Sequence, residues 1–225
     1  AAAGYTTYAY DQRGFGASPT RGRWPGTDTL VDDALAMSLL LHQRHPGVPV
    51  YVAGESMGGA VALVAAARGL QADGLVLLAP ALRSRREFGA LFAFGLWLAG
   101  HTIPWMPAGP TSIDYSPTDN PVVLEKLRKD PLMLRQPRLD MGYGLVDLMD
   151  AACDSLEKLD VPYLMAHGLG DKIVPEGPVK SAIRYMPRRA DSKLAFYRKG
   201  YHLLLRDKDG ALVTNDTVAW MRNHE

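Results

Sequence analysis

Residues 48–69, VPVYVAGESMGGAVALVAAARG, pass from β-branched and apolar residues to alanine-rich, helix-favouring ones across the short segment GESMG. A strand that runs straight into a helix fits a parallel sheet with helices packed on its faces, because the crossover helix must cover what the strand exposes. The same change of period recurs along the chain. It predicts strands at 5–10, 50–53, 75–78, 163–166 and 193–197, with helices filling the gaps. The first helix is expected to open at Asp28 or Thr29, whose side chain would cap free amides. It should turn Val31, Ala34, Leu35, Ser38 and Leu39 inward until RHPG stops it. The second is expected to run from the serine turn to Gly69, a left-handed cap.

Between Pro80 and Val161 the alternation fails. Stretches such as TIPWMPAGP and SPTDNP separate short helical pieces like 122–129, which predicts a cap inserted at 81–160 between two core segments, 1–80 and 161–225. A chain of 225 residues, 47% apolar, is long enough for one large core, so a single domain with an insertion is the expectation. A formal charge of +1 supplies no electrostatic reason to expect nucleic acid as a partner, and the runs RSRREF and MPRRADSK read as solvated faces. The single cysteine, Cys153, excludes an intramolecular disulfide; it suits a reducing compartment such as the cytoplasm without requiring one. The apolar run FGALFAFGLWLAG falls short of the ~20 residues a membrane span needs. With Pro104 and Pro107 after it, it is expected to be buried or interfacial and not transmembrane.

The chemistry centres on Ser56. In a strand-turn-helix elbow, Gly54 and Gly58 would let the backbone turn sharply, leaving the Ser56 hydroxyl at the carboxyl end of the sheet and the Met57 amide facing a developing oxyanion. G-x-S-x-G has only three fixed positions, and a glycine-rich turn without catalytic duty fits it too. A serine hydroxyl needs a base, and an imidazole base needs a carboxylate to hold its tautomer. Asp171 follows the predicted strand VPYLMAHG, and His202 follows KLAFYRKG. Ser56, Asp171 and His202 thus each come after a strand of their own, in that chain order. His167 is expected to stabilise a turn or support the site. Glu55 should tune packing, and Asp11 should sit in a hydrogen-bonded loop. His42, His45, His101 and His224 fit surface or helix-end positions. No cluster of His and carboxylates has metal-ligand spacing, so no metal is expected, and neither a phosphate-binding P-loop nor a G-x-G-x-x-G fingerprint follows a strand.

The segments YAYDQRGFGAS, PGVPVYVAGESMGGAVAL, GLVLLAPAL, DVPYLMAHGLGDKIVP and KGYHLLLRD resemble the α/β-hydrolase superfamily, in its monoacylglycerol lipase and lysophospholipase-like branch, grouped with serine aminopeptidase-type hydrolases. The resemblance implies an α/β-hydrolase fold with a helical cap. It makes Ser56 the nucleophile, His202 the general base and Asp171 the orienting acid. Members often have His where this chain has Glu55. The family's second oxyanion donor lies on a His-Gly loop after a strand that precedes the DxRGxGxS segment. This sequence begins after that loop, so the N-terminal strands are expected to be missing, leaving a gap inside the sheet. The activity implied is hydrolysis of carboxylic esters of single-chain lipids, monoacylglycerol or lysophospholipid, through an acyl-enzyme and without a cofactor. Phe88, Leu91, Phe92, Phe94, Leu96, Trp97 and Trp105 supply apolar surface in the cap. Phe92, Trp97 and Trp105 are the candidate acyl-chain contacts, and the cap is a candidate for transient contact with a membrane surface. The same side chains would also serve to bury the cap against the core. A small-ester or peptidase-like hydrolase and a non-catalytic binding protein of the same fold stay open as alternatives.

Overall fold

The computed structural model describes residues 2–108 and 116–224. Four strands, β1 (Tyr51–Glu55), β2 (Gly74–Leu78), β3 (Tyr163–Gly168) and β4 (Lys193–Tyr197), form one sheet in chain order. All pairings are parallel, with Ala53 opposite Val76, Val76 opposite Leu164 and Met165 opposite Leu194. Every residue of β2 and β3 is buried. Their apolar runs, GLVLL and YLMA, meet that demand, because helices cover both faces of an all-parallel sheet.

The two faces divide by the period of a strand. Leu75, Leu77, Tyr163 and Met165 point to a core shared with α1 (Thr27–Arg44), α2 (Met57–Ala67), α5 (Leu139–Ser155) and α6 (Glu176–Ala182). Val76, Leu78, Leu164 and Ala166 point the other way, to Val213 and Trp220 of α7 (Gly210–Arg222). Helix α2 is buried from Gly59 to Ala66, which its alanines and valines allow without leaving a polar group unsatisfied. It ends as expected at Gly69, where φ is 91° and the Leu70 amide donates back to the Ala65 carbonyl at 3.0 Å.

Residues 5–10 do not form the expected strand. A strand needs a backbone neighbour, and this segment meets the rest of the molecule through side chains: the Tyr5 ring lies edge-on to Tyr51 with centroids 6.3 Å apart, and the Tyr8 hydroxyl is 2.8 Å from His45 Nε2. Asp11 sits in the expected loop, its Oδ2 accepting from the Ala17 amide at 2.8 Å. The start of α1 also differs. It begins at Thr27 behind Gly26, and Asp28 pairs with Arg68 at 2.7 Å instead of capping the helix. Leu39 is exposed, because the inward face is set by Leu30, Val31 and Ser38, whose hydroxyl donates to the Gln71 carbonyl.

The 81–160 stretch holds longer helices than its prolines suggest: α3 (Ala90–Thr102), α4 (Pro121–Lys129) and α5. Its residues 109–115 lie outside the described set. α5 packs directly on α2 through Leu148 and Ala152. α3 crosses α5 closely, since a Cβ at Gly100 would lie 2.9 Å from Tyr143 Cβ. A 3-10 turn at Arg85–Phe88 is tied to α5 by ion pairs from Arg85 to Asp147 and Asp150. No residue of α3 is fully buried: Leu96 packs partly buried against the core while Leu91, Phe92, Phe94, Trp97 and Leu98 are exposed, so this run is not the buried segment that was one of the two expectations. Among the described residues no helix is long and apolar enough to cross a membrane.

Candidate active site

Because all four strands run parallel, their carboxyl ends, Glu55, Leu78, Gly168 and Tyr197, lie at one end of the sheet. Ser56, Asp171 and His202 all occur in the segments that leave this end.

Ser56 occupies the turn between β1 and α2 with φ 53° and ψ −115°. A non-glycine residue in that region is strained by about 1–3 kcal/mol and persists only where its surroundings hold it. Here they do. The Ser56 amide donates to the Leu78 carbonyl at 2.9 Å, and the Ser56 carbonyl accepts from the amides of Gly59 (3.0 Å), Ala60 (3.2 Å) and Ala81 (2.9 Å). The elbow is thus fastened to β2 and to the loop after it. Met57 is the first residue of α2, so its N–H has no acceptor within the helix and is free to meet an anion at the helix terminus.

The glycines act differently from the sequence expectation. A Cβ at Gly54 would fall on the Gly58 carbonyl, and one at Gly59 would lie 2.8 Å from Pro80 Cβ, whereas one at Gly58 would meet open space. Close approach therefore demands Gly54 and Gly59. Gly58 is not required for the sharp turn, because it has helical neighbours and room for a side chain.

His202 and Asp171 are brought together. His202 Nδ1 lies 2.7 Å from Asp171 Oδ2, with both residues buried. The other carboxylate oxygen, Oδ1, accepts from the amides of Ile173 (2.8 Å) and Val174 (3.0 Å), which fixes the Asp171 rotamer. This contact leaves Nε2 as the His202 nitrogen free for proton transfer. Nδ1 is taken up by Asp171, and among the described residues no hydrogen bond joins the Ser56 hydroxyl to His202. The His202 loop lies close against the end of β3: the Leu169 amide donates to the Tyr197 carbonyl and the Gly170 amide to the Gly200 carbonyl, each at 2.9 Å.

Three further ionisable groups surround this pair. His167, at the end of β3, is 1% exposed and neither ring nitrogen has a hydrogen-bond partner. Burial pushes its pKa down, with Asp171 and Glu176 opposing and His202 adding to the shift. Glu55 has a buried Oε1 without a partner, and burial raises its pKa against the pull of Arg206 and His202. Asp207 is buried, accepts from the Tyr201 amide at 2.7 Å and is also raised by burial. Sequence reasoning assigned no role to Asp207. Phe92, Trp97 and Trp105 are all exposed, with Phe92 stacked on Phe88 at 5.5 Å and Trp97 on Phe94 at 5.9 Å.

A parallel sheet wrapped by helices, with a strained serine elbow and a paired His and Asp at its carboxyl end, defines an α/β-hydrolase. The profile described as "Serine aminopeptidase, S33" matches residues 1–209, and the chain belongs to that family. It is 26% identical over 227 residues to a monoacylglycerol lipase of Mycolicibacterium smegmatis, covering 99% of this chain and 80% of that one. It is 28% identical over 206 residues to a monoglyceride lipase of Homo sapiens, covering 89% of this chain and 67% of the other. The crystal structure of a Paleococcus ferrophilus monoacylglycerol lipase superposes with a TM-score of 0.85 at 21% identity, covering 100% of this chain and 86% of that one. At that identity the likeness speaks for the fold.

Proposed function

We propose that the chain is a serine hydrolase that cleaves carboxylic esters of single-acyl-chain lipids, in the class of monoacylglycerols, through an acyl-enzyme. Ser56 attacks the ester carbonyl, His202 takes its proton through Nε2 and returns it to the departing alcohol, and Asp171 holds the imidazole in the required tautomer. The Met57 amide donates to the oxyanion. The observation that carries this reading is the 2.7 Å contact between His202 Nδ1 and Asp171 Oδ2, at the sheet end where Ser56 is held in its strained turn. The monoglyceride lipase relatives support the substrate class.

The cap at 81–160 completes the reading. α3 turns Leu91 (85% exposed) and Phe94 (57%) to solvent, and Trp105 (63%) follows it. This face supports transient contact with a lipid surface, with Phe92, Trp97 and Trp105 guiding an acyl chain toward Ser56. Turnover of p-nitrophenyl esters of graded chain length tests the assignment: kcat/KM should rise with chain length, and a flat series would remove the lipid assignment. Cosedimentation with vesicles of a zwitterionic lipid tests the surface. Leu91→Asp/Phe94→Asp should abolish binding while leaving short-ester turnover intact, and unchanged binding would remove the cap from that role.

A further inference from the structure

Two backbone amides flank His202, and each is tied to a residue outside the Ser56 elbow. The Tyr201 amide donates to Asp207 Oδ2 at 2.7 Å. The Leu203 amide donates to the Pro117 carbonyl at 2.8 Å. Pro117 belongs to the segment 116–120 that leads into α4, far in sequence from the His202 loop.

The segment is fastened twice more. Thr118, fully buried at 0% exposure, donates from its hydroxyl to the Arg206 carbonyl at 3.3 Å and accepts from the Asn120 amide at 3.2 Å. Asp119 Oδ1 accepts from the Lys208 amide at 2.8 Å. The loop that carries His202 is therefore held at Leu203, Arg206 and Lys208 by one short stretch, and at Tyr201 by its own Asp207. On the side of α7 the loop is anchored by the fully buried Leu204, which packs with Val213 and Trp220, so the hydrogen bonds at 116–120 hold its other side.

Asp207 is costly for a purely structural residue. Its carboxyl is buried, Oδ1 has no hydrogen-bond partner, and the neighbouring Asp119 opposes its charge. A neutral side chain would avoid that cost, but only an acceptor at this position can hold the peptide that precedes His202.

We propose that Asp207 and Thr118 are positioning residues for His202, a clamp that fixes the imidazole relative to Ser56 and joins the cap-side segment 116–120 to the general base. The proposal rests on His202 being that base. A displacement of the ring by a fraction of an ångström leaves substrate binding untouched and slows proton transfer, so the clamp acts on kcat and not on KM. It also gives the cap a direct mechanical path to the catalytic loop, because whatever shifts 116–120 shifts the Leu203 amide.

The test compares the full chain with Asp207→Ala, Asp207→Asn and Thr118→Val, using a short-chain p-nitrophenyl ester, fluorophosphonate labelling and proton NMR of the His202 Nδ1–H. Asp207→Ala and Thr118→Val should each lower kcat by about ten- to a hundredfold with KM within about twofold, and weaken or broaden the low-field Nδ1–H signal. Asp207→Asn keeps an acceptor for the Tyr201 amide and should restore most of kcat and the signal. Equal losses in Asp207→Ala and Asp207→Asn would overturn the clamp in favour of a charge effect, and so would wild-type kcat and signal in Thr118→Val. Should the parent chain neither label nor turn over, the hydrolase reading fails, and the NMR arm still decides whether these residues order His202. Unfolding of Asp207→Ala leaves Thr118→Val, an isosteric change, to decide the matter.

Discussion

Replacing Asp171 with asparagine should separate catalysis from folding. The native carboxylate accepts three hydrogen bonds: Oδ1 takes the Ile173 and Val174 amides, and Oδ2 takes His202 Nδ1. Asparagine has a single acceptor oxygen, and two backbone donors outcompete one imidazole for it. The amide group then faces His202 Nδ1, which must become an acceptor, and the ring proton moves to Nε2. That tautomer cannot take a proton from Ser56. The expected loss is about 10⁴ in kcat, equivalent to about 5.5 kcal/mol of barrier. Stability should fall by only about 1 kcal/mol, because two of the three bonds survive. Asp171→Ala should be as inactive but less stable by about 3 kcal/mol, having lost all three. Steady-state turnover of a p-nitrophenyl ester and urea unfolding read the two quantities independently. Retention of more than about a tenth of the activity in Asp171→Asn would refute the role given to this contact. Equal destabilisation by Asn and Ala would refute the account of Oδ1.

Three further outcomes follow from the packing and charges around the site. Gly59→Ala places a Cβ 2.8 Å from Pro80 Cβ and should destabilise by about 1–3 kcal/mol, whereas Gly58→Ala meets open space and should be neutral or stabilising by up to about 1 kcal/mol in urea unfolding. His167 stays neutral in the fold to lower pH than in the unfolded chain, so acidification from about pH 7 to about pH 5 protonates the unfolded chain first and lowers stability. Its replacement by Leu should flatten that slope in thermal melts, and an unchanged slope would place the effect elsewhere. Glu55 has the opposite sign: the fold keeps its proton to higher pH than the unfolded chain does, so stability is lost as pH rises from the ordinary carboxyl value through the folded one. Glu55→Gln should therefore raise the melting temperature near neutral pH and make little difference near about pH 4.

All four strands of the sheet were legible, with boundaries within two residues of those expected. GLVLL and YLMA carry the apolar runs that burial on both faces demands, whereas the half-exposed β1 and β4 were marked by β-branched and aromatic residues in VYVAG and KLAFY. The segment 5–10 carries the same kind of pattern but forms no ladder, because a strand is a relation between two backbones and a sequence states only one of them. α5 also had its signal, in Met141, Leu145, Leu148 and Ala152 at helical spacing, masked by the prolines on its approach. The pairing of Asp171 with His202 was readable from chain order and strand ends. The Thr118 and Asp119 contacts were not, since SPTDN reads as a connector and its partners lie 88 and 89 residues away. Gly58 and Gly59 could not be told apart by sequence, because the difference between them is the position of Pro80.

The central claim is that Ser56 is a nucleophile activated by His202. Intact mass and peptide mapping after exposure to a fluorophosphonate test it most directly. A single adduct on Ser56, absent in Ser56→Ala and strongly slowed in His202→Ala, is the predicted result. Labelling on another residue, or on Ser56 at the same rate without His202, would contradict it.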